Sequence, residues 1–252
     1  MEPVYTPVIW VARALFAAQG LKFTVTGAQN IPTSGGAVLV SNHLSYFDFA
    51  YAGLAAIPSG RLVRFMAKDA VFEHKVSGPL MRGMHHIPVD RTAGAASFRA
   101  AVMALKEGEI VGVFPEATIS RSFELKGFKS GAVRMAQAAA VPVLPMVIWG
   151  SQRVWTKGHP KRLGRTNVPI ILSVGEPIVA DRKDNADDIN LKLRAAMTDL
   201  LHAAQAEYPD VPTNELKYLP ARLGGSAPTL EEATAMDDED AVRRAARRAS
   251  TG

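Results

Sequence analysis

Short continuous apolar runs alternate along this chain with longer segments whose apolar positions recur three and four apart, the pattern of strands buried on both faces and separated by helices. Val38-Leu39-Val40, after the turn-forming Thr33-Ser34-Gly35-Gly36, predicts a buried strand. Residues 62–66 predict a second, and His86-Ile87-Pro88-Val89 a third near a sheet edge, because Pro88 has no N–H for a ladder. Residues 110–114, stopped by Pro115, then 143–149 and 170–174 complete the set. A helix is expected over 46–57 and another over 130–139. Over 94–107, Phe98, Ala101, Val102 and Leu105 fall at helical spacing, with Gly108 at the C-terminal cap. Asn185 can cap a last amphipathic helix with the stripe Ile189, Leu193, Ala196, Leu200 and Ala204. The alternation predicts a single α/β domain over 25–208, its mostly parallel or mixed sheet covered by helices. From Pro209 onward, prolines, glycines and blocked charges predict a C-terminal extension, 209–252, of loop and partial disorder. No internal repeat is present.

The N-terminal segment reads differently. Residues 4–19 hold one charge, Arg13, and one proline, Pro7, and fall short of the roughly twenty apolar residues that span a bilayer. Glu2 stands where a signal peptide carries basic residues. Residues 1–24 are therefore expected to form an interfacial helix, docked on a membrane or on the core. Trp10, Ala14 and Ala17 would share one stripe and Val8, Val11, Leu15 and Ala18 the next, with Arg13 free to snorkel.

Composition narrows the function. With 48% apolar and 21% charged residues among 252, a disordered or collagen-like chain is excluded. Zero cysteines exclude a disulfide framework, a Cys-based zinc site and a thiol nucleophile. The net charge of +5 is uneven, because the tail from Leu230 carries −2 and leaves +7 on the body. A basic body favours phosphate esters or an anionic membrane surface. Aromatics at 7%, with no zinc-finger or helix-turn-helix signature, argue for no nucleic acid. The stretch 149–165, with Arg153, Lys157, Lys161, Arg162, Arg165, Trp149 and Trp155, fits either a solvated loop or a lipid-facing surface.

Three segments hold candidate chemistry. In Ser41-Asn42-His43-Leu44-Ser45-Tyr46-Phe47-Asp48, an imidazole at a strand end meets a carboxylate one helical turn on, as a general base and its orienter require. Ser45-x-x-Asp48 also fits a capping box, so spacing alone leaves Asp48 as a cap, as the partner of His43, or as both. Residues 83–91 and 114–122 set basic and hydroxyl groups just beyond strand ends, where open α/β sheets bind ligands. Arg91, Thr118, Ser120 and Arg121 suit phosphate, although Arg91 taken singly fits a surface ion pair with Asp90 or Glu116 better. His74, His85, His86, His159 and His202 lack a carboxylate at comparable spacing and read as surface residues; no metal-ligand cluster is present.

Asn42-His43-x4-Asp48, Ile87-Pro88-Val89-Asp90-Arg91, Phe114-Pro115-Glu116-x-Thr118 and Val141-Pro142-Val143-x-Pro145 occur in the order and rough spacing of the four motifs of glycerolipid acyltransferases. Over about residues 25–180 the chain resembles the 1-acylglycerol-3-phosphate acyltransferase branch of that family. The resemblance implies acyl transfer from a thioester of coenzyme A or acyl carrier protein to lysophosphatidic acid or a related lysolipid, with no cofactor, metal or covalent enzyme intermediate. It makes His43 the general base and Asp48 its partner, gives the acceptor-phosphate pocket to Arg91, Glu116 and Thr118, and adds Lys68 from Met66-Ala67-Lys68-Asp69. The third motif departs from Phe-Pro-Glu-Gly-Thr-Arg-Ser at Ala117 and Ile119, and Arg121 is the expected substitute for the missing arginine. Such an enzyme is expected at the cell membrane, peripheral or monotopic on its cytoplasmic face. A lipid hydrolase would usually show Gly-x-Ser-x-Gly after a strand, which is absent. A non-catalytic lipid-binding protein would leave the His43/Asp48 pairing idle.

Overall fold

A computed structural model describes residues 2–90 and 94–249. In chain order the elements are α1 (Tyr5–Ala18), β1 (Lys22–Thr26), β2 (Ala37–Ser41), α2 (Asp48–Ala56), β3 (Val63–Lys68), α3 (Asp69–Glu73), α4 (Ser77–Gly83), β4 (Ile87–Val89), α5 (Gly94–Lys106), β5 (Ile110–Val113), α6 (Gly131–Ala139), β6 (Val143–Trp149), β7 (Pro169–Val174), α7 (Ala186–Ala206) and α8 (Leu230–Ala249). The strands form one sheet in the order β1-β7-β6-β2-β5-β3-β4. Every neighbouring pair is parallel except β6–β7.

The continuous apolar runs arise because both faces of the sheet are covered. Along β2, Val38 and Val40 join one core and Ala37 and Leu39 the other; along β6, Val143, Val147 and Trp149 alternate with Leu144, Met146 and Ile148. The first core is closed by α5, α6 and α7, the second by Phe16 of α1 and Tyr51, Ala52, Ala55 and Ala56 of α2. Pro88 sits on the edge strand β4, as its missing N–H requires. Asn185 caps α7 by accepting from the Asp187 N–H at 2.9 Å, and the buried stripe keeps Ile189, Leu193 and Ala204 of the expected one but has Met197 and Leu201 in place of Ala196 and Leu200. Its steps, three of four and a last of three, keep one face of α7 on β6 and β7.

The structure adds elements beyond those expected. β1, with four of its five residues exposed, pairs with β7 at the opposite edge and runs across the expected boundary at residue 24. The larger correction is at the C-terminus, where residues 230–249 form a helix and not a disordered tail. Thr229 and Glu232 make reciprocal capping-box bonds at 2.8 and 3.2 Å. The inward positions of α8 are Ala233, Asp237 and Asp240. A stripe that is mostly acidic carries no hydrophobic period, which is why the pattern hid it.

α1 does two things at once. Tyr5 and Phe16 are buried, with the Tyr5 hydroxyl donating to the Val63 carbonyl at 2.8 Å, while Trp10 and Val11 are 71% and 70% exposed. Among the described residues no helix is long and apolar enough to cross a membrane.

Candidate active site

β2 lies in the middle of the sheet, and its carboxyl end delivers Asn42 and His43 to a corner. Asn42 is fully buried and binds Ile148 of β6 twice, donating to its carbonyl at 3.0 Å and accepting from its N–H at 2.7 Å. That double bond fixes the chain direction just before His43. The next residues turn into α2, and the fully buried Asp48 reaches back into the turn. Its Oδ2 accepts from the Leu44 and Ser45 N–H groups at 2.6 Å each and lies 3.0 Å from His43 Nδ1. The Ser45 hydroxyl accepts from the Phe47 N–H at 3.2 Å, two residues on, while the Asp48 N–H donates to the Ser45 carbonyl, so only the Asp48 half of the expected capping box is made. Asp48 therefore braces the turn into α2 and partners the histidine together. With Oδ2 acting as acceptor throughout, Nδ1 is the donor, and the neutral ring keeps its lone pair on Nε2. The imidazole stacks on Phe114 with ring centroids 4.3 Å apart, and its side chain remains 22% exposed. The corner thus presents an oriented base to solvent or substrate.

Glu116, after β5, ties this corner to the loop beyond it. Its two carboxyl oxygens accept from the His43 N–H at 3.3 Å and the Lys126 N–H at 3.4 Å. Burial pushes its carboxyl up to about 8, against the lowering effect of those two bonds. Both oxygens face backbone donors, so Glu116 ties the loop that carries Thr118, Arg121 and Lys126 to the His43 turn. The Ser120 N–H donates to the His43 carbonyl at 2.8 Å, closing a clamp of loop on loop.

Beyond that clamp the cations converge. Lys126 Nζ donates to Thr118 Oγ1 at 2.7 Å and to Asp237 of α8 at 2.5 Å. Lys157 donates to Asp237 at 2.7 Å and lies 2.9 Å from Asp240, and Arg121 bonds Asp240 at 2.8 Å. Lys157 and Arg121 hold the Asp240 carboxyl far below the usual carboxylate range. At Asp237 burial acts in the opposite sense, but Lys126 and Lys157 outweigh it. Ile119 is buried, and the Ser120 hydroxyl is spent on the Glu124 carbonyl at 2.8 Å and on Ser122, so neither faces a ligand.

The remaining expectations divide. Lys68 ends β3, two strands from β2, and opposite Val89. Arg91 lies outside the described residues. His86 is not a surface residue: it is buried, accepts from the Phe65 N–H at 3.0 Å, and is pushed down to about 4 by burial and by Arg64. The stretch 149–165 is not a free basic surface. Trp149 is in the core, Arg153 and Arg162 both pair with Glu215 at 2.7 Å, and Lys157 pairs with α8. Sequence reasoning missed Lys126, Glu215, Asp237 and Asp240, whose only signal was opposite charge at separations of 53 to 119 residues. Among the described residues no group of three or more His, Asp or Glu side chains is placed to hold a metal ion.

A family model described as Acyltransferase matches residues 22–149. The 1-acyl-sn-glycerol-3-phosphate acyltransferase of Bacillus subtilis (strain 168) is 32% identical over 182 residues, 71% of this chain and 83% of its own length. A chloroplastic 1-acyl-sn-glycerol-3-phosphate acyltransferase of Arabidopsis thaliana is 29% identical over 167 residues, 65% of this chain and 45% of its own. The crystal structure of the 1-acyl-sn-glycerophosphate (LPA) acyltransferase from Thermotoga maritima shares the fold, with a TM-score of 0.67 and 22% identity, over 81% of each chain.

Proposed function

We propose that this chain, which belongs to the acyltransferase family that includes the 1-acyl-sn-glycerol-3-phosphate enzymes, moves a fatty acyl group from a thioester to the free hydroxyl of lysophosphatidic acid, giving phosphatidic acid. The observation that carries the reading is the His43–Asp48 pair, with Nδ1 engaged and Nε2 left as the base. An alcohol is a poor nucleophile at neutral pH and a thiol a good leaving group, so the barrier is lowered most by taking the hydroxyl proton. His43 Nε2 accepts that proton as the oxygen bonds to the thioester carbonyl carbon. Asp48 then faces an imidazolium. Collapse of the tetrahedral oxyanion breaks the C–S bond, and the proton passes from the imidazolium to the departing thiol. No acyl-enzyme forms, in keeping with a chain without cysteine. The donor is a coenzyme A or acyl carrier protein thioester. Thiol release is measured over an acyl-thioester panel with and without lysophosphatidic acid. Acceptor-dependent release is expected; acceptor-independent release makes the protein a hydrolase, and no release makes it a binding protein.

The reaction is placed at a membrane surface on the cytoplasmic face, held by the outer side of α1. Both substrates carry acyl chains, and drawing them through water costs about 0.8 kcal/mol per CH₂. Trp10, Val11 and Leu15 are exposed, as are Val76 and Leu80 on the neighbouring 69–83 segment, whose Phe72 and Met81 pack with Tyr5. Deleting α1 would remove Phe16 and uncover Phe23 and Tyr51, on which it packs, so point changes make the cleaner test. Trp10→Ser with Val11→Ser is expected to lower co-sedimentation with anionic vesicles while the melting temperature holds; unchanged binding would remove α1 as the anchor.

A further inference from the structure

Two carboxylates of α8, three residues apart on one face, meet three cations from two separate loops, and every member is 13% to 21% exposed. Resting on the acyl-transfer reading above, we propose that Lys126 and Lys157 complete, with Arg121 and Thr118, the seat of the acceptor's phosphate monoester, and that Asp237 and Asp240 of α8 occupy this seat as a built-in competitor.

Charge and shape both fit. A phosphate monoester near pH 7 carries about −1.5 to −2 and offers three acceptor oxygens, close to the charge of the two carboxylates. The carboxylates do not fill the seat completely. Arg121 Nε is buried without a hydrogen-bond partner, its nearest carboxylate oxygen being 3.6 Å away on Asp237. A tetrahedral anion could supply that acceptor while keeping Lys126, Lys157 and the Thr118 hydroxyl.

Position fits as well. Thr118, Arg121 and Lys126 belong to the segment that Glu116 and Ser120 clamp to the His43 backbone. Lys157 follows Trp155, whose carbonyl accepts from both the Ser45 hydroxyl and the Tyr46 N–H, at 2.8 and 3.1 Å. Both loops that bear cations are therefore bonded to the turn that carries the base. Ile119, buried where an arginine would stand in the resembling motif, leaves the seat short of positive charge, and two lysines restore it.

α8 is suited to leave. Ala233 is the one fully buried apolar side chain among its described residues, and the rest of its inward face is ion pairs that solvent and salt weaken. A ligand that must displace an occupant binds with an affinity reduced by the fraction of time the seat is free. Acyl transfer would then quicken only when phosphate-bearing acceptor reaches a concentration that evicts α8.

The test uses the full chain. Lys126→Met and Lys157→Met are expected to raise KM for lysophosphatidic acid about tenfold or more and leave KM for the thioester unchanged. Asp237→Asn with Asp240→Asn is expected to lower the acceptor KM roughly fivefold, as for a seat blocked about four-fifths of the time, and to tighten inorganic phosphate binding in calorimetry to the same degree. A rise in thioester KM alone would give the seat to the donor's phosphates and overturn the proposal. Unchanged KM values and phosphate affinity in folded variants would leave the ion pairs as helix anchors and overturn it too. If the lysine variants fail to fold, the aspartate pair still decides. Phosphate binding needs no turnover, so tighter binding without acyl transfer defeats the reaction and spares the seat, whereas transfer with unaltered binding does the reverse.

Discussion

The His43 corner and the Arg121–Lys126–Lys157 seat share the same loops but are held by opposite means. Asp48, fully buried, is bonded within five residues of itself, to two backbone N–H groups and one ring nitrogen. The seat is filled by carboxylates 80 to 119 residues away, in pairs that keep some contact with water. Backbone donors cannot leave without unfolding the turn, whereas a helix bound by partly exposed ion pairs can exchange with solvent or with another anion. The proposed base, which must point one way, is thus built locally, and the proposed seat, which must open, is closed from a distance.

The sharpest way to break the comparison is at the base. His43→Ala is expected to lower acceptor-dependent thiol release by about 10²–10⁴-fold, with little change in melting temperature, because the ring is partly exposed and its backbone bonds to Glu116 and Ser120 remain. Asp48→Ala should damage both properties. It leaves the buried Leu44 and Ser45 N–H groups without an acceptor, at about 1–3 kcal/mol each. A folded His43→Ala protein with near-normal turnover would end the role of this corner as the base.

Glu116 sharpens the contrast through pH. Its carboxyl sits near 8 in the fold against about 4.5 when free, so the folded state holds a proton that the unfolded state releases between those values. Its stabilisation is complete below about 4.5 and is lost as pH rises through about 8, on the order of a few kcal/mol in all. His86, pushed down to about 4, has the reverse sign: its contribution is present above about 6.5 and lost as pH falls towards 4. The difference in melting temperature between wild type and Glu116→Gln, followed from pH 6.5 to 8.5, therefore isolates Glu116 from His86 and from His159, which burial also holds below its usual value. Wild type should fall over that interval, and Glu116→Gln should start lower, since an amide offers one acceptor for two N–H groups, but fall less. Equal slopes would show that Glu116 does not hold the extra proton.

Legibility followed the same divide. Six strands, α5 and the His43–Asp48 pairing could be read because each is written within a dozen residues, as a period or as a fixed spacing. The dual role of Asp48 was readable as an alternative and needed only the direction of the turn to settle. Lys126 and α8 could not be read. Their partners are distant in sequence, and a helix whose inner face is Asp237 and Asp240 has the composition of a solvated tail. The stretch 149–165 failed for the same reason, since three of its five cations are matched by Glu215, Asp237 or Asp240. The edge strand β1 did carry a signal, since Lys22-Phe23-Thr24-Val25-Thr26 alternates polar and apolar residues and is rich in strand formers, but five residues at an exposed edge are too short a run to stand out.

The smallest expected effect lies between the two regions, at Ala117. This residue follows Glu116 and precedes Thr118, so it turns the chain from the clamp towards the seat, and it does so at φ +61°, where a side chain is strained. The left-handed conformation costs a non-glycine residue roughly 1–2 kcal/mol, and glycine returns part of this through its freer unfolded chain, about 0.5–1 kcal/mol. Ala117→Gly should therefore gain up to about 1 kcal/mol, or roughly 2–4 °C in melting temperature for a chain of this size. The alanine, although strained, stiffens the turn. If that stiffness helps hold Thr118 and Lys126 in register with His43, the glycine variant should be more stable and yet show a modestly higher acceptor KM, with thioester KM unchanged. A variant that gains stability with no change in either KM would mean that the ion pairs alone set the seat's geometry. A variant that loses stability would mean that the neighbouring loop compensates the strain at Ala117.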